Sequence, residues 1–171
     1  MLQFPNIQKI MAHQMAMHLK PLISSPIWIA GIPDGATKLG EDLAKILGSK
    51  VAEMKKVDGK IRIVSQIGPD EKVLLCEDFC TRGTGFREAV LDIVSKQPDV
   101  DFIFIEPVII NRDGLKCVEV PGVGSFYILA IAENRVNDWE PSECPLCEMG
   151  SKPIKPKTKD ENWKLITNSQ K

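Results

Sequence analysis

Apolar residues recur at helical spacing from the start of the chain, where Ile7, Ile10, Met11, Met15 and Leu19 predict an amphipathic helix with Asn6 placed to cap it. Pro21 and Pro26 interrupt the pattern, and the run Ile27-Trp28-Ile29-Ala30 that follows has the length and content of a buried strand. After a loop from Gly31 to Gly35, Leu39, Leu43, Ile46 and Leu47 mark a second helix, and Gly48 stands where a C-terminal cap belongs. Val51 to Val57 and Ile61 to Val64 predict two short strands joined by a tight turn at Asp58-Gly59. A further buried run, Val73 to Cys76, follows Gly68-Pro69; Phe86, Ala89, Val90 and Ile93 then return to the helical period. Asp101 to Ile110 and Ser125 to Ala132 are rich in Phe, Ile and Val, side chains suited to strands.

Strands alternating with helices in this order predict an α/β fold whose central, mostly parallel sheet is flanked by helices. Beyond Trp139 the composition shifts to Pro, Lys, Ser and Glu, with Lys152, Lys155, Lys157 and Lys159 scattered without period. Residues 1–150 are therefore expected to form a single domain, and residues 151–171 a C-terminal arm or mobile tail. At 171 residues, 43% of them hydrophobic, the chain can bury one substantial core. Lys and Arg number 22 against 23 Asp and Glu, a net charge of -1, which leaves no electrostatic footprint for nucleic acid or an anionic membrane. No apolar run reaches the roughly 20 residues of a membrane helix, and the N-terminus carries no secretion-signal pattern, so a cytoplasmic location is expected. The five cysteines, an odd number, are expected as reduced thiols. His13 and His18 do not share a helix face at roughly 100° per residue, which argues against a metal pair or a catalytic role.

The chemistry concentrates between Val73 and Phe86. A buried strand delivers the adjacent carboxylates of Glu77 and Asp78 to its carboxyl end, where open α/β sheets bind ligands. Thr81-Arg82-Gly83-Thr84-Gly85 then opens a helix whose free backbone N-H groups favour an anion, and the two glycines let the backbone approach it closely. Carboxylates beside a phosphate site would repel the ligand unless they face hydroxyls. Glu77 and Asp78 are therefore expected to accept hydrogen bonds from the 2- and 3-hydroxyls of a ribose. Any one of these features alone also fits a strand end and a helix cap; together they describe a ribose phosphate site.

The whole string, an apolar strand, two acids and a Thr- and Gly-rich loop, resembles the signature of the type I phosphoribosyltransferases and is most similar to orotate phosphoribosyltransferases. Upstream, Gly31-Ile32-Pro33-Asp34-Gly35 resembles the family's pyrophosphate loop; downstream, Asn111-Arg112 resembles an Asp-Arg step whose arginine contacts the orotate carboxylate. The stretch Glu143 to Gly150 resembles a C-terminal segment of some bacterial members. The resemblance implies a type I phosphoribosyltransferase fold with a small hood formed by N- and C-terminal segments, and a displacement at the ribose anomeric carbon. Phosphoribosyl pyrophosphate and a nucleobase would be the ligands and Mg2+ the cofactor, in a homodimer serving pyrimidine nucleotide synthesis. By the same resemblance Glu77, Asp78 and Lys56 would be catalytic. Thr81 to Gly85, Gly31 to Gly35, Lys55 and Lys60 would bind phosphoribosyl pyrophosphate, and Arg112 the base. Mg2+ would keep its waters and substrate oxygens, so no direct protein ligand is assigned to it.

The sequence departs from the family in four places. Only Val57-Asp58-Gly59-Lys60 stands where a long loop with lysine and histidine is usual. Lys55-Lys56 replaces an Arg-Lys pair, Arg82 and Gly85 replace hydroxyl residues, and Asp34 puts a negative charge in the pyrophosphate loop. Two alternatives to orotate transfer follow: a regulator that binds phosphoribosyl pyrophosphate without turnover, and a transferase for another base. Cys144 and Cys147 make one Cys-x-x-C, half of a structural zinc site, and are expected as unliganded thiols.

Overall fold

The computed structural model describes residues 5–24, 26–137, 139–140, 142–155 and 160–168. The chain runs α1 (Pro5–Leu19), β1 (Trp28–Gly31), α2 (Thr37–Leu47), β2 (Lys50–Val51), β3 (Met54–Val57), β4 (Lys60–Ile63), β5 (Lys72–Cys80) and α3 (Thr84–Lys96). It continues through β6 (Asp101–Phe102), β7 (Ile105–Asn111), β8 (Cys117–Val120), β9 (Gly124–Glu133), α4 (Pro145–Glu148) and α5 (Asp160–Asn168). The main sheet has the order β2-β1-β5-β7-β9-β8, with β6 beside the start of β5. Every pairing in it is parallel except β8 with β9. The expected mixed fold with a mostly parallel sheet is the one observed.

Side-chain alternation on the central strand divides the core in two. Val73 and Leu75 of β5 pack with Phe86, Ala89, Val90 and Ile93 of α3, while Leu74 and Cys76 pack with Met15 and Leu19 of α1 and Leu39 and Leu43 of α2. Helices thus cover both faces of the sheet. In α1 the buried face is Gln8, Ala12, Met15, Ala16 and Leu19, whereas Ile7 and Ile10, expected inside, are exposed. Gln8 is held by its amide, which donates to Asp42 of α2 at 3.1 Å. Asn6, expected as the cap, lies inside the first turn because the helix begins at Pro5, whose fixed φ suits that position. His13 and His18 are exposed.

Two predicted strands are broken. Val51 to Val57 divides at Ala52-Glu53: β2 joins the main sheet beside β1, while β3 leaves it to pair with β4. Asp58 and Gly59 make the expected turn, both with positive φ, 50° and 76°, as a two-residue hairpin of this hand requires. Asp101 to Ile110 is interrupted at Ile103-Phe104, where the Ile105 N-H donates to the Ile103 carbonyl at 2.7 Å. The edge strand β8 has no counterpart among the predicted elements.

Asp92 of α3 fastens the hairpin. Its side chain is 2% exposed and accepts from Arg62 at 2.6 Å, the Ile63 N-H at 2.7 Å and Lys96 at 2.9 Å. Burial alone would push its carboxyl up, but the bonds from Lys96, the Ile63 N-H and Arg62 outweigh it and hold the group below the ordinary aspartate range. That contribution is present above the ordinary range and lost as pH falls through the depressed folded value. Asp92→Ala should cost about 2–3 kcal/mol, because it leaves a buried N-H unpaired and two cations without their anion. Urea unfolding at neutral pH measures the loss, and the gap between variant and parent should shrink in acid.

The chain divides at Val136–Asn137 into two compact units, so the 150/151 boundary drawn from composition falls inside the second. That second unit contains α4 and, within the residues expected to form an arm or mobile tail, α5. No helix among the described residues is long and apolar enough to cross a membrane.

Candidate active site

Strands β1 and β5 are neighbours, yet the chain leaves β1 toward β2 and leaves β5 toward β7. The loops after them therefore diverge and open a crevice at the carboxyl ends, the position where sheets of this kind take ligands. Gly31, the last residue of β1, pairs with Cys76, so β5 projects Glu77 to Cys80 beyond its neighbour.

By strand alternation Asp78 faces the α2 side and Glu77 the α3 side. The Asp78 carboxylate lies against Gly35, where any Cβ would overlap it, and its Oδ1 accepts from the Phe79 N-H at 3.0 Å. The loop is tied down at its start by the Ile32 N-H donating to the Cys76 carbonyl at 3.0 Å; its Pro33–Asp34 peptide is cis. Lys56 reaches the same loop through an ion pair with Asp34 at 3.8 Å, so the negative charge in this loop has a lysine beside it. Lys55 pairs with Glu53 at 2.9 Å and shares with Lys56 and Asp34 the lining of a cleft of about 670 Å³. Lys60 is exposed at the hairpin turn. Asp34, Asp78, Lys56 and the Gly31–Gly35 loop are thus brought together, with Lys55 at the margin.

The second loop sits across β5. Gly83 is the N-cap of α3 with φ 64°, a left-handed conformation suited to glycine, and a Cβ there would meet Val118 at 2.5 Å. Gly83 has no side chain with which to cap the helix, which suits its first-turn N-H groups to an anion. Arg87 stiffens the turn, donating to the Arg82 carbonyl and the Glu119 carbonyl, each at 2.8 Å. Thr81, Arg82, Thr84 and Gly85 surround this helix start.

Glu77 is only 9% exposed and lies beneath Gly85, whose Cβ would stand 3.1 Å from Oε1. Burial first, then the neighbouring Glu106, push its carboxyl up to about 9. Glu106, from β7, is wholly buried, and its hydrogen-bonding neighbours are Glu77 and Cys80. Burial raises it to about 7, although hydrogen bonds from Glu77 and Cys80 act the other way. The two acids of β5 are therefore unlike: Asp78 borders the crevice, and Glu77 belongs to an inner cluster with Cys80 and Glu106 whose ligand atoms all lie within 4.8 Å of one another.

Arg112 leaves the end of β7 with its N-H donating to the Cys80 carbonyl at 2.8 Å, and its guanidinium stacks over Phe79 at 4.3 Å. Asn111 is structural: its amide donates to the Leu115 carbonyl at 2.8 Å and accepts from the Gly114 N-H at 3.1 Å. Glu106 and Phe79 have no place in the sequence-based site. Glu106 was detectable as one charge within the otherwise apolar run from Ile103 to Ile110; Phe79 carries no such signal. A hard cation arriving on pyrophosphate would meet oxygen donors, Asp34 and Asp78, at the first loop, a set that fits Mg2+.

The fold is that of the phosphoribosyltransferases: the chain superposes over 94% of its length on 78% of an adenine phosphoribosyltransferase from Trypanosoma brucei, with a TM-score of 0.60 at 16% identity. No family model matches it. Among curated proteins it is 30% identical over 157 residues to an orotate phosphoribosyltransferase from Caldicellulosiruptor bescii, covering 91% of this chain and 77% of the relative. It is 27% identical over 165 residues to one from a Nitratiruptor species, covering 91% and 80%. The chain belongs to the orotate phosphoribosyltransferase family.

Proposed function

We propose that the chain transfers the 5-phosphoribosyl group from phosphoribosyl pyrophosphate to orotate. The observation that carries this reading is the Asp78 carboxylate held against Gly35, which puts a ribose-hydroxyl acceptor beside a backbone loop suited to pyrophosphate. The N-H groups at the start of α3 take the 5-phosphate, with Thr81 and Thr84 as hydroxyl donors. Lys56 and the loop from Gly31 to Gly35 stabilise the negative charge that grows on the leaving pyrophosphate. Arg112, fixed on Phe79, supplies a cation to the carboxylate of the base. Mg2+, when bound with the substrate, supplies further charge neutralisation at the pyrophosphate oxygens, near Asp34 and Asp78. Mixing the protein with phosphoribosyl pyrophosphate, Mg2+ and orotate should consume orotate absorbance; no loss at saturating concentrations rejects the reading. A homodimer is part of the same proposal, to be checked by sedimentation.

Asp78→Asn should weaken binding of phosphoribosyl pyrophosphate by about 1.5–3 kcal/mol, roughly 10- to 100-fold, the scale of charged hydrogen bonds to hydroxyls. Calorimetry reads the change, and unchanged affinity would remove Asp78 from the ribose site.

One observation favours a second reading. The hairpin turns tightly through Asp58-Gly59, so no long loop follows Lys55-Lys56 to cover the crevice. A regulator that binds phosphoribosyl pyrophosphate without consuming it would need none. Calorimetric binding without turnover of orotate, uracil, hypoxanthine or adenine would select that reading, and turnover of a base other than orotate would reassign the substrate.

A further inference from the structure

We propose that Cys144 and Cys147 form a thiol-disulfide exchange site, in which Cys144 attacks a low-molecular-weight disulfide and Cys147 resolves the mixed disulfide so formed. The pair stands at the start of α4, and both residues are partly exposed. The Cys147 N-H donates to the Cys144 sulfur at 3.4 Å, and the two side chains hydrogen-bond to each other, so the sulfurs face one another. Backbone bonds close the turn that carries them. The Glu148 N-H donates to the Cys144 carbonyl at 3.1 Å, the Met149 N-H to the Pro145 carbonyl at 3.1 Å, and the Gly150 N-H to the Cys147 carbonyl at 2.9 Å. Pro145 fixes the first helical φ, and Gly150 leaves the turn at φ 83°, a left-handed conformation suited to glycine. Two thiols are thus held against each other at the surface by a backbone that is ordered without a bond between them.

The other three cysteines lack this arrangement. Cys76 and Cys80 are buried, and burial first, then the acids beside them, push each thiol up to about 12. Cys117 donates to Glu119 at 3.5 Å, and that bond raises it. At Cys144 the sense reverses: the Cys147 N-H, then the Cys147 thiol, hold it below the ordinary cysteine range, while Cys147, bonded to Cys144, is raised. The thiolate is the attacking species in exchange, so Cys144 opens the reaction and Cys147 completes it. The Cys144 thiolate bonds to one sulfur of the incoming disulfide and expels the other as a thiolate. Cys147 then gives its proton to solvent and attacks the Cys144 sulfur, closing the bond between the two cysteines and expelling the second thiolate. The chain gives up two electrons and two protons, and the incoming disulfide is reduced to two thiols.

The test uses the full chain, reduced, desalted and incubated with oxidised glutathione. The reaction is quenched in acid, and the chain is unfolded, alkylated and read by peptide mass spectrometry. The peptide holding Cys144 and Cys147 should lose two hydrogens and take no alkyl group, while Cys76, Cys80 and Cys117 remain alkylated. Cys147→Ser should stop at a glutathione adduct on Cys144, and Cys144→Ser should react about 10-fold or more slowly than Cys147→Ser. Circular dichroism identifies variants that remain folded, and the peptide map of the parent chain decides the matter if neither does. Oxidation of Cys117 ahead of the pair, a disulfide between two chains in place of one within, or equal rates for the two variants overturns the proposal. So does one zinc ion per two chains, found by metal analysis, that keeps both thiols unreactive until chelator removes it. Because thiol state rather than turnover is read, either result leaves the proposed transferase activity independently testable.

Discussion

Gly31→Ala should lower stability by roughly 3 kcal/mol, the upper end of the cost of overpacking, and move the urea midpoint down by about 1 M or more. The added methyl group would overlap the Ala36 carbonyl. That carbonyl cannot easily retreat. It accepts from the Gly40 N-H at 2.9 Å inside α2, while the Ala36 N-H donates to the Ile32 carbonyl at 3.0 Å. The Gly31–Gly35 loop and the helix after it are therefore locked against the end of β1, and, on the proposed function, the variant that remains folded should also bind phosphoribosyl pyrophosphate more weakly. A midpoint within error of the parent would show that the loop yields without cost.

Glu106→Leu should act in the opposite direction, stabilising the protein by about 1–4 kcal/mol at pH 8, the range seen when buried ionic groups give way to apolar ones. Burial, then Glu106, raise the Glu77 carboxyl from its ordinary 4.5 to about 9, and burial raises Glu106 to about 7. The folded chain consequently binds more protons than the unfolded one across that window. Stability from these groups is fully present below about 4.5 and is lost as pH rises through the folded values. The gain from leucine should accordingly be small at pH 5 and large at pH 8, as urea midpoints at the two values would measure. Equal midpoints for variant and parent at pH 8 would mean that Glu106 is not a liability in the fold.

The periodicity of α2 and α3, the Asp58-Gly59 turn and the runs that become β1, β5 and β9 were legible because each obeys a local rule of spacing or turn chemistry. The missed elements have tertiary causes. β8 is an edge strand ordered by pairing with β9, with Val118 packed beneath Gly83. The exposed Ile7 and Ile10 exchange places with Gln8 because Asp42 on another helix satisfies its amide. Lys55 and Lys56, adjacent in sequence, find different partners, Glu53 and Asp34, because strand alternation and the departure of the hairpin from the main sheet separate them.

The string from Val73 to Gly85 by itself determined that a buried strand delivers acids to a glycine-rich helix start, since burial, strand ends and helix caps are written in neighbouring residues. The parallel order of the sheet decided the rest. It laid the Gly31–Gly35 loop against Asp78, set Arg112 on Phe79 and buried Glu106 beside Glu77. These contacts join segments separated by tens of residues. Their distances depend on which strands pair and in what register, and no local pattern of side chains encodes that pairing.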